Sequence, residues 1–238
     1  MRLIFAALLT TLVCGWVLPA QDPIADLVQS AQRHEAKRQH AQAIADYDRI
    51  LKLRPKWAEA YNHRGTEHFK MAHIEQSLAD FDRAIELEPA QAPYHWQRGI
   101  SLYYAGRYDD GRRQFELHQT VNGNDVENAA WRYLCMARAG SAASARASLL
   151  PIEHDSRVPM MQIYALYRGK AGVDDVLAAA AGVRDRLFYA NLYIGLYYEA
   201  AGNAKAARDH ISRAVEQKID HYMGDVARVH LQVNTSPR

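Results

Sequence analysis

The chain has 238 residues, 49% of them hydrophobic, with 29 basic against 27 acidic side chains and a formal charge of +2. That length and apolar content can build one or two domains with a real core. The two signs of charge are mixed along the chain, as on solvated helix faces, which excludes a nucleic-acid surface held by electrostatics.

The first element is Met1-Arg2 followed by a mostly apolar run from Leu3 to Leu18, with the first acidic residue at Asp22. A charged start, a short apolar stretch and then Leu18-Pro19-Ala20 read as an export leader, residues 1–20, cut after Ala20. The mature chain would start at or near Gln21 and work in the periplasm. Thr10, Thr11, Gly15 and Pro19 interrupt the run, which falls short of the roughly 20 apolar residues of a membrane span. Cys14 offers a second reading, as a lipid-bearing cysteine that would tie the protein to the outer membrane. Thr11 and Val13 stand where such a signal wants leucine and a small residue, so membrane association rests on Cys14 alone. Once the leader is gone, Cys135 is the single cysteine. No intramolecular disulfide is then expected, and Cys135 reads as a small buried hydrophobe.

Residues 21–125 hold three units, 24–57, 58–91 and 92–125. The phrase ADYDRILKLRP at 45–55 returns as ADFDRAIELEP at 79–89. Pro55 and Pro89 stand 34 residues apart, as do Tyr47 and Phe81, and His34 and His68. The register continues to Gly99 under Gly65, Gly111 under Ser77 and Phe115 under Phe81. Each unit reads as two helices: a small residue in the first, a turn, a ring in the second, and a proline that stops it for want of a donor. Residues 126–187 are degenerate. There 128–150 reads as two shortened helices split near Gly140-Ser141, 151–155 as a connector, and 158–183 as a compact pair split at Gly172. A fourth clear unit follows at 188–221, with Gly195, Tyr198, Gly202, Ala207, Ile211 and Ala214 in place. Residues 221–232 read as one terminal helix that closes the stack, and 233–238 as a tail.

A period of 34 with apolar residues at helical spacing is the tetratricopeptide (TPR) pattern. The expected fold is all-α, a TPR superhelix of antiparallel helix pairs with a shortened middle and a C-terminal capping helix. No unit can bury its apolar face alone, so each stacks on the next. The stretch QRGISLYYAGRYDDGRRQF (97–115), Asn124-Asp125, Trp131, Tyr133 and Leu134, and the late YIGLYYEAAGNAKAARDHISRAV (193–215) resemble the NlpI-type periplasmic TPR lipoproteins. That resemblance spans roughly residues 27–232. It implies a homodimer that brings peptidoglycan hydrolases to a processing protease, and it carries over onto Arg98 to Tyr108 and the closing repeat from Tyr193.

Eleven histidines invite a metal or catalytic reading that the spacing does not support. In HEAKRQH (34–40), Arg38 stands where a zinc HExxH motif requires its second histidine. His63, His68 and His73 are five apart, which turns each about 140° from the last on a helix. His154-Asp155-Ser156 are adjacent in a connector and cannot face one another as a triad must. No phosphate-cradling glycine loop is present. The sequence therefore points to no catalytic, cofactor or metal residues.

The inner face of a TPR stack is lined by set positions of each first helix. The 34-residue register places Asn62, His63, Thr66, Phe69 and Lys70 there from one unit, and Trp96, Gln97, Ile100, Tyr103 and Tyr104 from the next. The family's carboxylate clamp needs Lys, Asn and Arg where this chain has Val28, Gln32, His63, Pro93 and Gln97. Rings take its place, and Trp96, Tyr103 and Phe69 are the expected anchors for a protein partner. Packing between repeats is the alternative for the same rings. Tyr189, Tyr193 and Tyr197 form a second stripe on one helical face, open to core, binding or dimer roles. Three functions remain: a non-catalytic adaptor that binds proteins, an oligomer-forming envelope protein, and a metal-dependent hydrolase hidden in the middle.

Overall fold

The computed structural model describes residues 23–235, whose regular elements are all helices, with no strand among them. The leader at 1–20, Cys14 and the expected start at Gln21 lie outside the described residues. Six antiparallel pairs follow in chain order. They are α1 (Pro23–Ala36) with α2 (His40–Leu53), α3 (Ala58–Lys70) with α4 (Ile74–Leu87), and α5 (Trp96–Tyr104) with α6 (Tyr108–Gln119). Then come α7 (Val126–Ala139) with α8 (Ala142–Ala147), α9 (Met160–Tyr167) with α10 (Val173–Ala180), and α11 (Arg184–Ala200) with α12 (Ala204–Glu216). A last helix, α13 (Tyr222–Thr235), follows the sixth pair.

The repeat shows in backbone geometry as well as in letters. The first helix of a pair ends on a residue in the left-handed region: Arg38 (φ 55°), Ala72 (φ 59°), Gly106 (φ 73°) and Gly202 (φ 77°). The next amide then reaches back five residues, Gln39 to His34, His73 to His68, Arg107 to Leu102 and Asn203 to Tyr198, at 2.8–2.9 Å. This is the helix closure that satisfies the last orphan carbonyls. Gly169 (φ 70°) and the Lys170 amide on the Ala165 carbonyl repeat it between α9 and α10. The degenerate pair thus keeps the turn after losing the sequence phrase. Close pairing within a unit rests on small residues: a Cβ on Gly99 would lie 2.7 Å from the Phe115 ring, and one on Gly195 2.7 Å from Ile211.

One expectation is corrected here. The stretch 128–150 does not give two shortened helices. Asp125 accepts a hydrogen bond from the Glu127 amide as N-cap, nothing interrupts the run to Ala139, and α7 spans fourteen residues while only α8 is short. The third unit, 92–125, begins in a turn before its first helix. Pro89 and Pro93 hold Pro89–Tyr94 as a 3-10 turn, and α5 begins at Trp96.

The core runs as one cluster from Phe69 to Val229, with a smaller one around Leu27, Tyr47 and Ile50 in the first pair. Cys135 is buried in the larger cluster, where burial pushes its thiol pKa up.

Candidate functional site

The first helices of the pairs face inward, as the register expects, but the groove they form is not empty. Helix α13 lies across it. Tyr222 stacks on Phe69 at 5.2 Å and meets Trp96 edge-on at 5.1 Å between ring centres. The buried His230 lies with Nδ1 3.1 Å from the Tyr104 hydroxyl and Nε2 3.4 Å from Glu199. Asp225, its side chain only 3% exposed, pairs with Arg38 from the α1–α2 turn and with Arg228. Glu199 gathers the opposite side, accepting from the Tyr103 hydroxyl at 3.1 Å and from Arg138 at 2.5 Å. One helix end thereby ties α5, α7 and α13 together.

This placement decides what the expected groove residues can do. Phe69, Ile100 and Tyr103 are buried, at 0%, 0% and 3% exposure. As anchors reachable by a partner Phe69 and Tyr103 are corrected: Tyr222 of α13 covers the first and Trp131 of α7 packs on the second, which is the packing alternative. Trp96 and Tyr104 are half-buried, and Tyr104 is held by His230. Among the polar residues, His63 binds Glu35 at 3.1 Å, Lys70 binds Glu67 at 2.5 Å, and Gln97 donates to Thr66 at 3.3 Å. Asn62 faces a separate recess with Trp57 and His95. The tyrosine stripe divides. Tyr193 is fully buried and donates to Glu127 at 2.6 Å. Tyr197 is half-buried beside Tyr167, and Tyr189 is half-buried and stacked on His221. The turn at Ala72 also brings His68 and His73 together, Nδ1 to Nδ1 at 3.4 Å, which helical spacing alone did not anticipate.

Beside the first turn of α13 the groove stays open as a cavity of about 350 Å³. Ile100, Phe115, Asn128, Trp131 and Met223 form its buried floor, and Trp96, Tyr189 and Tyr222 its half-buried walls. Asn122, Arg157 and His221 stand exposed at its mouth. Asp125 and Glu127, at the start of α7, complete the lining. Arg157 joins both to Asp155: its guanidinium lies 2.6 Å from Asp125, 2.6 Å from Glu127 and 2.6 Å from Asp155. Asp155 also accepts from the Val126 amide at 3.3 Å, so carboxylates crowd the α7 N-terminus, where the helix dipole favours them. Of these residues only Trp96, Ile100 and Tyr189 stood among the expected site positions. Trp131 sits one 34-residue step after Gln97 and was open to the same register. Arg157 belongs to the connector and Tyr222 to the closing helix, and neither carries a repeat position.

Burial pushes the Glu127 carboxyl up to about 6 from an ordinary 4.5, against the opposing pull of the Tyr193 hydroxyl and Arg157. Its side chain is 15% exposed. A raised folded pKa means the folded state holds this proton more tightly. The contribution is full below pH 4.5 and fades as pH rises through 6. The shift corresponds to about 2 kcal/mol. Glu127→Gln, which cannot titrate, is therefore expected to gain about 2 kcal/mol on the wild type between pH 4.5 and 7. Denaturant melts at several pH values check the slope, which a pH-independent difference between glutamine and the protonated acid does not touch.

Among the described residues no group of three or more His, Cys, Asp or Glu side chains is placed to hold a metal ion, and no helix is long and apolar enough to cross a membrane.

Residues 58–91 match the tetratricopeptide repeat family. No curated protein matches the chain. Among solved structures, the chain is similar to the MamA RS-1 ArsTM double mutant, at 12% identity and a TM-score of 0.53, covering 83% of this chain and 95% of that one. It is also similar to PilW, described as a widely conserved type IV pilus biogenesis factor, at 18% identity and a TM-score of 0.51, covering 82% and 93%. At these identities the likeness speaks for the fold. The chain carries a tetratricopeptide repeat at 58–91 within an all-α superhelix of paired helices.

Proposed function

We propose that this chain is a non-catalytic protein-binding adaptor of the cell envelope, and that its ligand site is the cavity α13 leaves open inside the superhelix. One observation carries the reading: a ring-walled cavity of about 350 Å³ on the inward face, with polar groups at its mouth. That is the form of a built ligand site, apolar within and polar where orientation is set. The leader-like residues 1–20 supply the envelope location. The resemblance to NlpI-type lipoproteins supplies the finer reading, a homodimer that brings peptidoglycan hydrolases to a processing protease.

The test places a photo-crosslinking residue at Asn122, on the mouth, and separately at the exposed Glu86 on the outer helix α4. Envelope proteins captured from Asn122 and not from Glu86 are the expected result. Equal capture from both positions, or none from Asn122, overturns the site. Light scattering of the exported chain reports the dimer. N-terminal sequencing reports a start at or near Gln21, and a lipid-modified Cys14 would replace that start.

A further inference from the structure

We propose that the cavity receives a basic side chain, arginine above all, from an extended segment of the protein partner. The inference rests on the cavity being the ligand site, and three separate features of its lining specify the ligand.

The first is charge. Asp125, Glu127 and Asp155 all converge on Arg157. Among the described residues their ion-pair and hydrogen-bond partners include no second cation: Asn122, the Tyr193 hydroxyl and backbone amides take the remaining places. The α7 N-terminus offsets roughly half a charge, so the wall keeps an excess of at least one negative charge. An acidic ligand meets that excess, and a cation relieves it.

The second feature is the rings. Phe115 and Trp131 lie near-parallel, at 19° with centres 6.4 Å apart, and Trp96 and Tyr222 meet at 89°. Such faces attract a guanidinium, which is planar and less tightly hydrated than an ammonium.

The third is an acceptor without a donor. Asn128 is 3% exposed and spends its amide hydrogens on the Phe115 carbonyl and on Gln119, at 3.0 and 2.9 Å. Its buried Oδ1 finds no hydrogen-bond partner. A guanidinium offers five donors and no acceptor, and answers that group as well as the carboxylates. The indole Nε1 of Trp131, buried and equally unpartnered, is a donor. It suits a backbone carbonyl of the segment that carries the arginine. The Tyr222 hydroxyl, also buried and unpartnered in the lining, can donate or accept. A basic residue within a peptide answers both the Asn128 acceptor and the Trp131 donor, whereas a bare cation answers only the acceptor.

The experiment follows the indole Nε1–H resonances of Trp96 and Trp131 in the full mature chain. The probe is the peptide acetyl-Gly-Arg-Gly-amide. Its comparators are the same peptide with norleucine in place of arginine, and n-propylguanidinium, a guanidinium with no carbonyl. The expected result is a saturable shift of the Trp131 resonance at millimolar affinity or better, at least tenfold weaker with norleucine and several-fold weaker with n-propylguanidinium. Glu127→Gln is expected to weaken the arginine peptide about fivefold or more. Asn122→Lys, at an exposed position where folding is not at stake, should weaken it similarly and leave the norleucine peptide unchanged. The proposal falls if norleucine binds as tightly as arginine, or if no saturable shift appears by 10 mM peptide, on the order of the weakest affinity that would still count as recognition. Equal binding of n-propylguanidinium would overturn the peptide source in favour of a free cationic metabolite. Should partners still crosslink through position 122 while the arginine peptide fails, the adaptor reading survives and the basic ligand alone is lost.

Discussion

Trp131→Ala is expected to remove about 3–5 kcal/mol of stability, a large share of what a domain of this kind holds. Trp131 is 2% exposed and marks the point where three helices meet. Its ring lies 5.4 Å from Tyr103, 6.2 Å from Tyr104 and 6.4 Å from Phe115, centre to centre. Alanine leaves a hole beneath both arms of the superhelix. Neither α5 nor α6 can collapse into it, because Gly99 already holds the Phe115 ring at contact. The unpartnered indole nitrogen works the other way. Its desolvation costs about 1–3 kcal/mol in the wild type, and alanine relieves that cost. Trp131→Phe separates the two contributions, since it keeps most of the ring and discards the orphan N–H. A loss within about 1.5 kcal/mol is expected there. Guanidinium melts of the three proteins decide the matter. If alanine and phenylalanine cost the same, the ring packing described for α7 is not what holds the arms together.

The parts of the fold that were legible in the sequence are those that repeat. Pro55, Pro89, Phe81 and Phe115 answer the same local demands at the same register, so the second helix of each unit could be placed from letters alone. The turn beneath Arg38, Ala72 and Gly106 recurs as well, although its residues differ in type and only Gly106 announces a left-handed φ. The closure by α13 was not legible. Arg38 and Asp225 are 187 residues apart, and a contact made once leaves no period to detect. That single closure explains most of the differences at the site. The register put Phe69, Ile100 and Tyr103 on the inward face, and all three are buried. It carried no information on whether another helix had already filled that face. The cavity was hidden for the same reason. Its floor is built from α5, α6, α7 and α13, its wall from α5, α11 and α13, and its carboxylates gather on Arg157, which no helical repeat position predicts.

Asp225→Ala is the second large expected effect, a loss of about 3 kcal/mol, with its origin in the closure itself. The Asp225 side chain is 3% exposed and sits between Arg38 and Arg228, so it is a buried charge held by two partners. Removing one member of a buried ion pair costs about 3–5 kcal/mol when the survivor stays buried. Here Arg38 and Arg228 keep 34% and 33% exposure and can turn to water, which places the expected loss at the low end of that range. The position in the first turn of α13 adds to the cost, because a carboxylate there complements the helix dipole. Asp225→Asn keeps the shape and drops the charge, and should fall between wild type and alanine. A double-mutant cycle with Arg38→Ala isolates the contact that spans the groove. A coupling near 1 kcal/mol or more marks a contact between groups that act together. Hydrogen exchange tells where the loss is felt. If α13 closes the superhelix as described, its amides and those of α3 beneath Tyr222 lose protection together in Asp225→Ala, while α9 and α10 keep theirs. Uniform loss across all helices would mean that Asp225 acts on global stability alone, and that the groove does not open at this contact.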